Sequence, residues 1–129
     1  MNIMQIERLD HLVITVADIE ATCTFYTRVM GMQVITFGAG RKTLTFGQQR
    51  INLHEREKEF EPKATFPTPG SADLCFIAST PISEVIQDLA TEGVEIILGP
   101  VSRTGAAGNL ESVYFRDPDG NLIEVSNIQ

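Results

Sequence analysis

One order of elements, written twice, most constrains what this chain can fold into. Residues 9–16 (LDHLVITV) are rich in β-branched side chains, which predicts a strand with His11, Val13 and Thr15 on one face and Leu12, Ile14 and Val16 on the other. Ile19, Thr22, Cys23, Tyr26 and Met30 then recur at helical spacing, with Asp18 placed to cap the helix and Gly31 to end it. Three further strands are predicted at 33–37, 42–46 and 50–54. The order recurs after Gly70: a strand at 73–78, a helix opened by Thr80 and Pro81 with the stripe Ile82, Val85, Ile86 and Leu89, a stop at Gly93, and strands at 94–98, 112–115 and 122–127. Displacing the chain by 62 residues carries Gly31 onto Gly93, His11 onto Asp73, Leu12 onto Leu74 and Val34 onto Ile96. The predicted fold is α+β, two paired βαβββ modules forming an open curved sheet.

This repeat sets the domain plan: one domain over 1–129, with module one at about 7–55, a proline-bearing connector at 56–70 and module two at about 71–129. Each sheet has one face covered by its helix and a second face free. Polar residues on the free faces should converge on one trough able to hold a small molecule. Ten basic against 17 acidic residues give a formal net charge of −7, which argues against nucleic acid, whose phosphates need a Lys/Arg footprint. The apolar runs are too short to span a bilayer, and residues 1–10 lack the apolar centre of a signal peptide, so no membrane partner and a cytoplasmic location are expected. Cys23 and Cys75 form neither a CxxC nor a disulfide framework and read as small buried thiols.

Three residues stand out chemically. His11 and His54, the two histidines of the chain, lie on predicted strands. Glu124 interrupts the apolar run Leu122, Ile123, Val125, where a carboxylate is costly unless paired or bound to a cation. Two imidazoles and a carboxylate suit Zn, Ni, Co, Mn or Fe(II) and leave coordination positions open for substrate. Asp73, the repeat counterpart of His11, is a possible fourth oxygen ligand. Residues 99–109 (GPVSRTGAAGN) read as a mobile loop whose cation, Arg103, could meet a carboxylate or phosphate. Residues 117–121 (DPDGN) read as a turn. GxGxxG, GxxxxGK[ST] and GxSxG are absent, which leaves nucleotide cofactors and a nucleophile elbow unsupported.

The stretches DHLVITVADIEATCTFYTRVMGM, INLHE, SADLCFIAS and VYFRDPDGNLIEVSN resemble the vicinal oxygen chelate superfamily, which includes glyoxalase I, fosfomycin-modifying thiol transferases, extradiol dioxygenases and bleomycin-binding proteins. Within it, the chain is similar to small glyoxalase-domain proteins related to lactoylglutathione lyase. The resemblance implies metal ligands on the first and last strands of each module, which fall on His11, Asn52 or His54, Asp73 and Glu124. Asn is a weak ligand, so His54 is preferred to Asn52. The resemblance also implies a homodimer in which module one of one chain can pair with module two of the other.

The function expected is a metal-dependent lyase or isomerase acting on a small oxygen-chelating carbonyl compound or thiol adduct. Glu124, or a metal-bound water, would transfer the proton and Arg103 would hold an anionic portion of the substrate. The alternatives are an extradiol-type dioxygenase, since two His and one Glu resemble an Fe(II) triad, and a metal-free sequestering protein of the bleomycin-resistance type.

Overall fold

The computed structural model describes residues 2–129. Module one runs β1 (His11–Val16), α1 (Ile19–Met30), β2 (Gln33–Phe37), β3 (Arg41–Phe46) and β4 (Gln49–Glu55). Module two runs β5 (Asp73–Ile77), α2 (Ile82–Thr91), β6 (Leu98–Gly105), β7 (Gly108–Arg116) and β8 (Leu122–Ile128). Each module forms one four-stranded sheet, in the orders β1-β4-β3-β2 and β5-β8-β7-β6. In both, the first strand lies parallel to the last and the other pairs are antiparallel. The repeat in the sequence is therefore a repeat in topology.

Local chemistry explains the element ends. The Asp18 carboxylate accepts the backbone N–H of Ala21 at 3.2 Å, and Gly31 closes α1 at φ 67°. At α2 the expected Thr80 cap is replaced. The chain enters through Pro81 without a side-chain cap of its own, and Asn127 on β8 accepts the Ile82 N–H at 2.8 Å while its amide donates to the carbonyls of Ala78 and Thr80. An amide that both accepts and donates can satisfy the strand-to-helix corner from outside it.

The segment between α2 and β7 also departs from expectation. Residues 94–97 form no strand, and most of the expected loop at 99–109 is β6, joined to β7 by a tight turn. Pairing slips between Leu98 opposite Tyr114 and Val101 opposite Ser112, a bulge in which Gly99 adopts φ 114°. A Cβ on Gly99 would lie 2.5 Å from the Ser112 carbonyl oxygen, so the bulge requires glycine. Glycine that read as mobility is here the means of bringing a strand edge close to its neighbour.

The helix-side faces of both sheets share one core, in which Ile14, Val16, Leu44, Ile51 and Leu53 of module one join Val113, Phe115, Ile123 and Val125 of module two. Rings link the modules, Phe25 with Phe115 at 6.3 Å and Phe46 edge-on to Phe76 at 5.3 Å. Residues 117–121 are a turn and something more. The buried Asp117 carboxylate accepts the Tyr26 hydroxyl and the Asn121 amide, each at 2.7 Å, and Asp119 accepts the Ala17 N–H at 3.1 Å. Burial and the adjacent Asp117 charge push the Tyr26 hydroxyl pKa far up, so the phenol stays protonated and donates. No helix among the described residues is long and apolar enough to cross a membrane.

Candidate functional site

The registers fix which side chains share the two faces left free by the helices. On module one, His11 pairs with Arg50, Val13 with Asn52, and Thr15 with His54, so these six point the same way, together with Arg41, Thr43 and Thr45. On module two, Asp73 pairs with Leu122, Cys75 with Glu124, and Ile77 with Ser126, joined by Tyr114, Ser112 and Arg103. Each candidate named from the sequence therefore lies on a free face. The registers also pair the positions across modules: Asn52 stands to His11 as Glu124 stands to Asp73, and His54 is the counterpart of Ser126.

His11 is exposed and its Nδ1 donates to Asp10 at 2.9 Å, which leaves Nε2 with a free lone pair. The same hydrogen bond, and the charge of the imidazole when it is protonated, lower the Asp10 pKa. Asn52 Oδ1 is buried and has no hydrogen-bond partner among the described residues. His54 is buried, its ring 5.7 Å from Phe60 of the connector, and its Nε2 accepts the Arg41 guanidinium at 3.4 Å. Burial first, and then the Arg41 charge, lower the His54 pKa and keep the ring neutral.

On module two, Ser126 links three neighbours. Its hydroxyl meets Ser112 Oγ at 2.6 Å and Cys75 Sγ at 3.4 Å and donates to Glu124 Oε2 at 3.3 Å. Ser112 and Ser126 are fully buried, so they form a fixed floor under Glu124. Cys75 is exposed and Cys23 half-buried, in contrast to the buried thiols expected. Strand alternation turns Cys75 onto the free face with Asp73 and Ile77, and the residual burial raises both thiol pKa values. Arg103 lies in a strand, not a loop, and its Nε donates to the Tyr114 hydroxyl at 2.9 Å. Tyr114 sits directly across from Glu124, which connects the two residues given catalytic roles from the sequence through one the sequence reading missed. No sequence signal marks Tyr114 or Arg41, because each gains its place from cross-strand register.

A cavity of about 620 Å³ opens where the connector passes β1 and β5, lined by Thr15, His54, Lys63, Phe66 and Asp73 among others. A larger one of about 850 Å³, at the far ends of the helices, holds none of the candidate ligands. No three His, Cys, Asp or Glu side chains among the described residues come together as a metal site. By register His11 and Asn52 share one sheet face and Asp73 and Glu124 the other, while His54 and Asp73 line the same cavity.

Residues 8–125 match the profile of the Glyoxalase/Bleomycin resistance protein/Dioxygenase superfamily, and the chain belongs to that family. Virulence protein STM3117 of Salmonella typhimurium is 59% identical over 123 residues, covering 95% of this chain and 85% of that one. Its crystal structure superposes with a TM-score of 0.96 over 98% of this chain and 100% of its own, at 58% identity. Glyoxalase domain-containing protein RDO1 of Mycosarcoma maydis is 53% identical over 126 residues, 98% of this chain and 71% of its own. More distantly, the fosfomycin resistance protein FosX of Listeria monocytogenes, crystallised with Mn(II) and sulfate, shares the fold at a TM-score of 0.69 and 20% identity, over 97% of this chain and 93% of its own. The family includes enzymes and relatives that bind divalent metal.

Proposed function

We propose that this protein is a metal-dependent, glyoxalase-like enzyme, a lyase or isomerase whose small substrate presents two neighbouring oxygens. The observation that carries this reading is the repeated placement of donors, His11 with Asn52 on one free face and Asp73 with Glu124 at the equivalent positions of the other. The donor set fits a divalent cation: Nε2 of His11 is left free by Asp10, Asn52 Oδ1 is buried without a partner among the described residues, and Glu124 has one oxygen not engaged by Ser126. The geometry favours Asn52 over His54 as the fourth ligand, because a guanidinium on His54 Nε2 repels a second cation there. A metal held by these residues would stabilise negative charge growing on the substrate oxygens.

The protein's own groups supply the rest. Glu124 moves the proton, while Ser126, donating to Oε2, holds the carboxylate in position. Arg103, aligned by Tyr114, binds an anionic part of the substrate.

Two pairs on separate faces make one site when module one of one chain meets module two of a second. The apolar surface supports that homodimer. Val13, Ile35, Ile77, Leu98 and Ile128 all project from the free faces and are 41–53% exposed, and a row of such side chains marks a surface that is normally covered.

The test is metal analysis of protein purified without chelator, for wild type, His11→Ala and Glu124→Ala. Stoichiometric metal in the wild type and its loss in both variants is the expected result. A metal-free wild type that nevertheless binds small organic molecules would establish the second reading, a sequestering protein, which the separation of the donor pairs within one chain favours.

A further inference from the structure

Of the two arginines on the free face of module one, Arg41 stands among aromatic rings. Its guanidinium carbon lies 5.0 Å from the Phe37 ring centroid and 4.6 Å from that of Phe60, so β2 supplies one aromatic wall and the connector the other. The group is half-buried, and its Nε is fully shielded with no hydrogen-bond partner among the described residues. Its one polar contact is the donation to His54 Nε2. None of the salt bridges among the described residues reaches it: Glu59 and Glu61, the carboxylates on either side of Phe60, are both turned onto Lys63, and Glu59 also accepts the Glu57 N–H.

A guanidinium withdrawn from water without a counter-charge is expensive, and this chain has an excess of acidic residues from which to supply one. Leaving the charge uncompensated makes physical sense if the partner arrives from outside. The two rings screen the group from water without neutralising it, and a guanidinium fork can take two oxygens of one anion side by side.

We propose that Arg41, set against Phe37 and Phe60, is the anchor for an oxyanion, a carboxylate or phosphate group of the small molecule bound on the free face of module one. This assigns the substrate class of the proposed enzyme as anionic, and it rests on that reading only in taking this face as the substrate side. Phe60 makes the connector part of the anchor: the segment between the modules closes over the bound anion and sets its position. Arg41 is thus a specificity-determining residue, separate from Arg103 on module two.

The experiment is titration of chelator-treated protein, and separately of protein loaded with diamagnetic Mg(II), with sodium phosphate and with sodium acetate, chloride serving as the ionic-strength control. The readout is the NMR signal of the Arg41 Nε–H, assigned from its absence in Arg41→Gln. Saturable shifts with either oxyanion and none with chloride are expected, and the more effective anion identifies the group recognised. Binding weakens roughly tenfold or more in Arg41→Gln, less in Arg41→Lys, which keeps charge but not the fork, and is retained in Arg28→Gln, whose guanidinium lies on α1 against Glu92. Phe60→Leu, on an exposed ring, weakens it without touching the core and serves if Arg41→Gln does not fold. Shifts that fail to saturate, that match chloride, or that persist in Arg41→Gln would overturn the proposal. Anion binding in chelator-treated protein together with failure to load Mg(II) or Mn(II) would sink the metal reading and leave this one standing.

Discussion

The two free faces share a scaffold and differ in charge. Module one offers an imidazole, an amide and two arginines, His11, Asn52, Arg41 and Arg50, and its second histidine lies under a connector ring. Module two offers two carboxylates, Asp73 and Glu124, over a floor of buried serines. Equivalent positions carry His and Asn in one copy and Asp and Glu in the other. The repeat keeps the geometry while the side chains at equivalent positions differ in chemistry. Neither half supplies enough strong ligands for a closed metal site on its own.

That asymmetry should appear most strongly when equivalent positions are exchanged for alanine. Glu124→Ala should weaken metal binding by more than about 100-fold, since loss of a mere orienting partner typically costs 10- to 100-fold. Asn52→Ala should cost roughly tenfold, the loss of one neutral oxygen donor. Equal losses measured by competition with a metal-sensitive dye would break the distinction between the halves. Ser126→Ala comes next: the floor under Glu124 loses its donor, and metal affinity should fall about 10-fold while the melting temperature changes little. An unchanged affinity would mean that Ser126 does not position the carboxylate.

The smallest effect concerns the counterparts His54 and Ser126, of which one titrates. The folded-state pKa of His54 lies below the ordinary histidine value of 6.5, so the unfolded chain binds the proton more readily. The stability conferred by a neutral His54 is present above pH 6.5 and is lost as pH falls through the lower folded value. Thermal melting between pH 8 and pH 5 should show a decline that is shallower in His54→Gln. Identical slopes would remove His54 from the acid response.

Much of the fold was legible because its signals are local. The change from alternating to helical period at Asp18 and the stop at Gly31 depend on neighbours a few residues apart, and both are seen in the structure. Strand β6 was missed for the same reason. Its glycines and proline break the local pattern, and only the register against β7 makes residues 98–105 a strand. The site divides in the same way. His11 and Glu124 could be singled out because a polar group amid apolar strand residues is conspicuous in one dimension. Arg41 and Tyr114 look ordinary until cross-strand pairing sets them beside His54 and Glu124. The capping of α2 by Asn127, 45 residues away, was equally out of reach.

The central claim, that one site is built from half of one chain and half of another, can be tested by mixing two variants that are each metal-free. His11→Ala and Glu124→Ala chains are unfolded together, refolded as a mixture and assayed for bound metal. Random pairing into two-fold dimers should restore about one quarter of the wild-type metal, because half the dimers are mixed and each of these has one intact site. A mixture that forms dimers yet stays as metal-free as its two components would contradict the account.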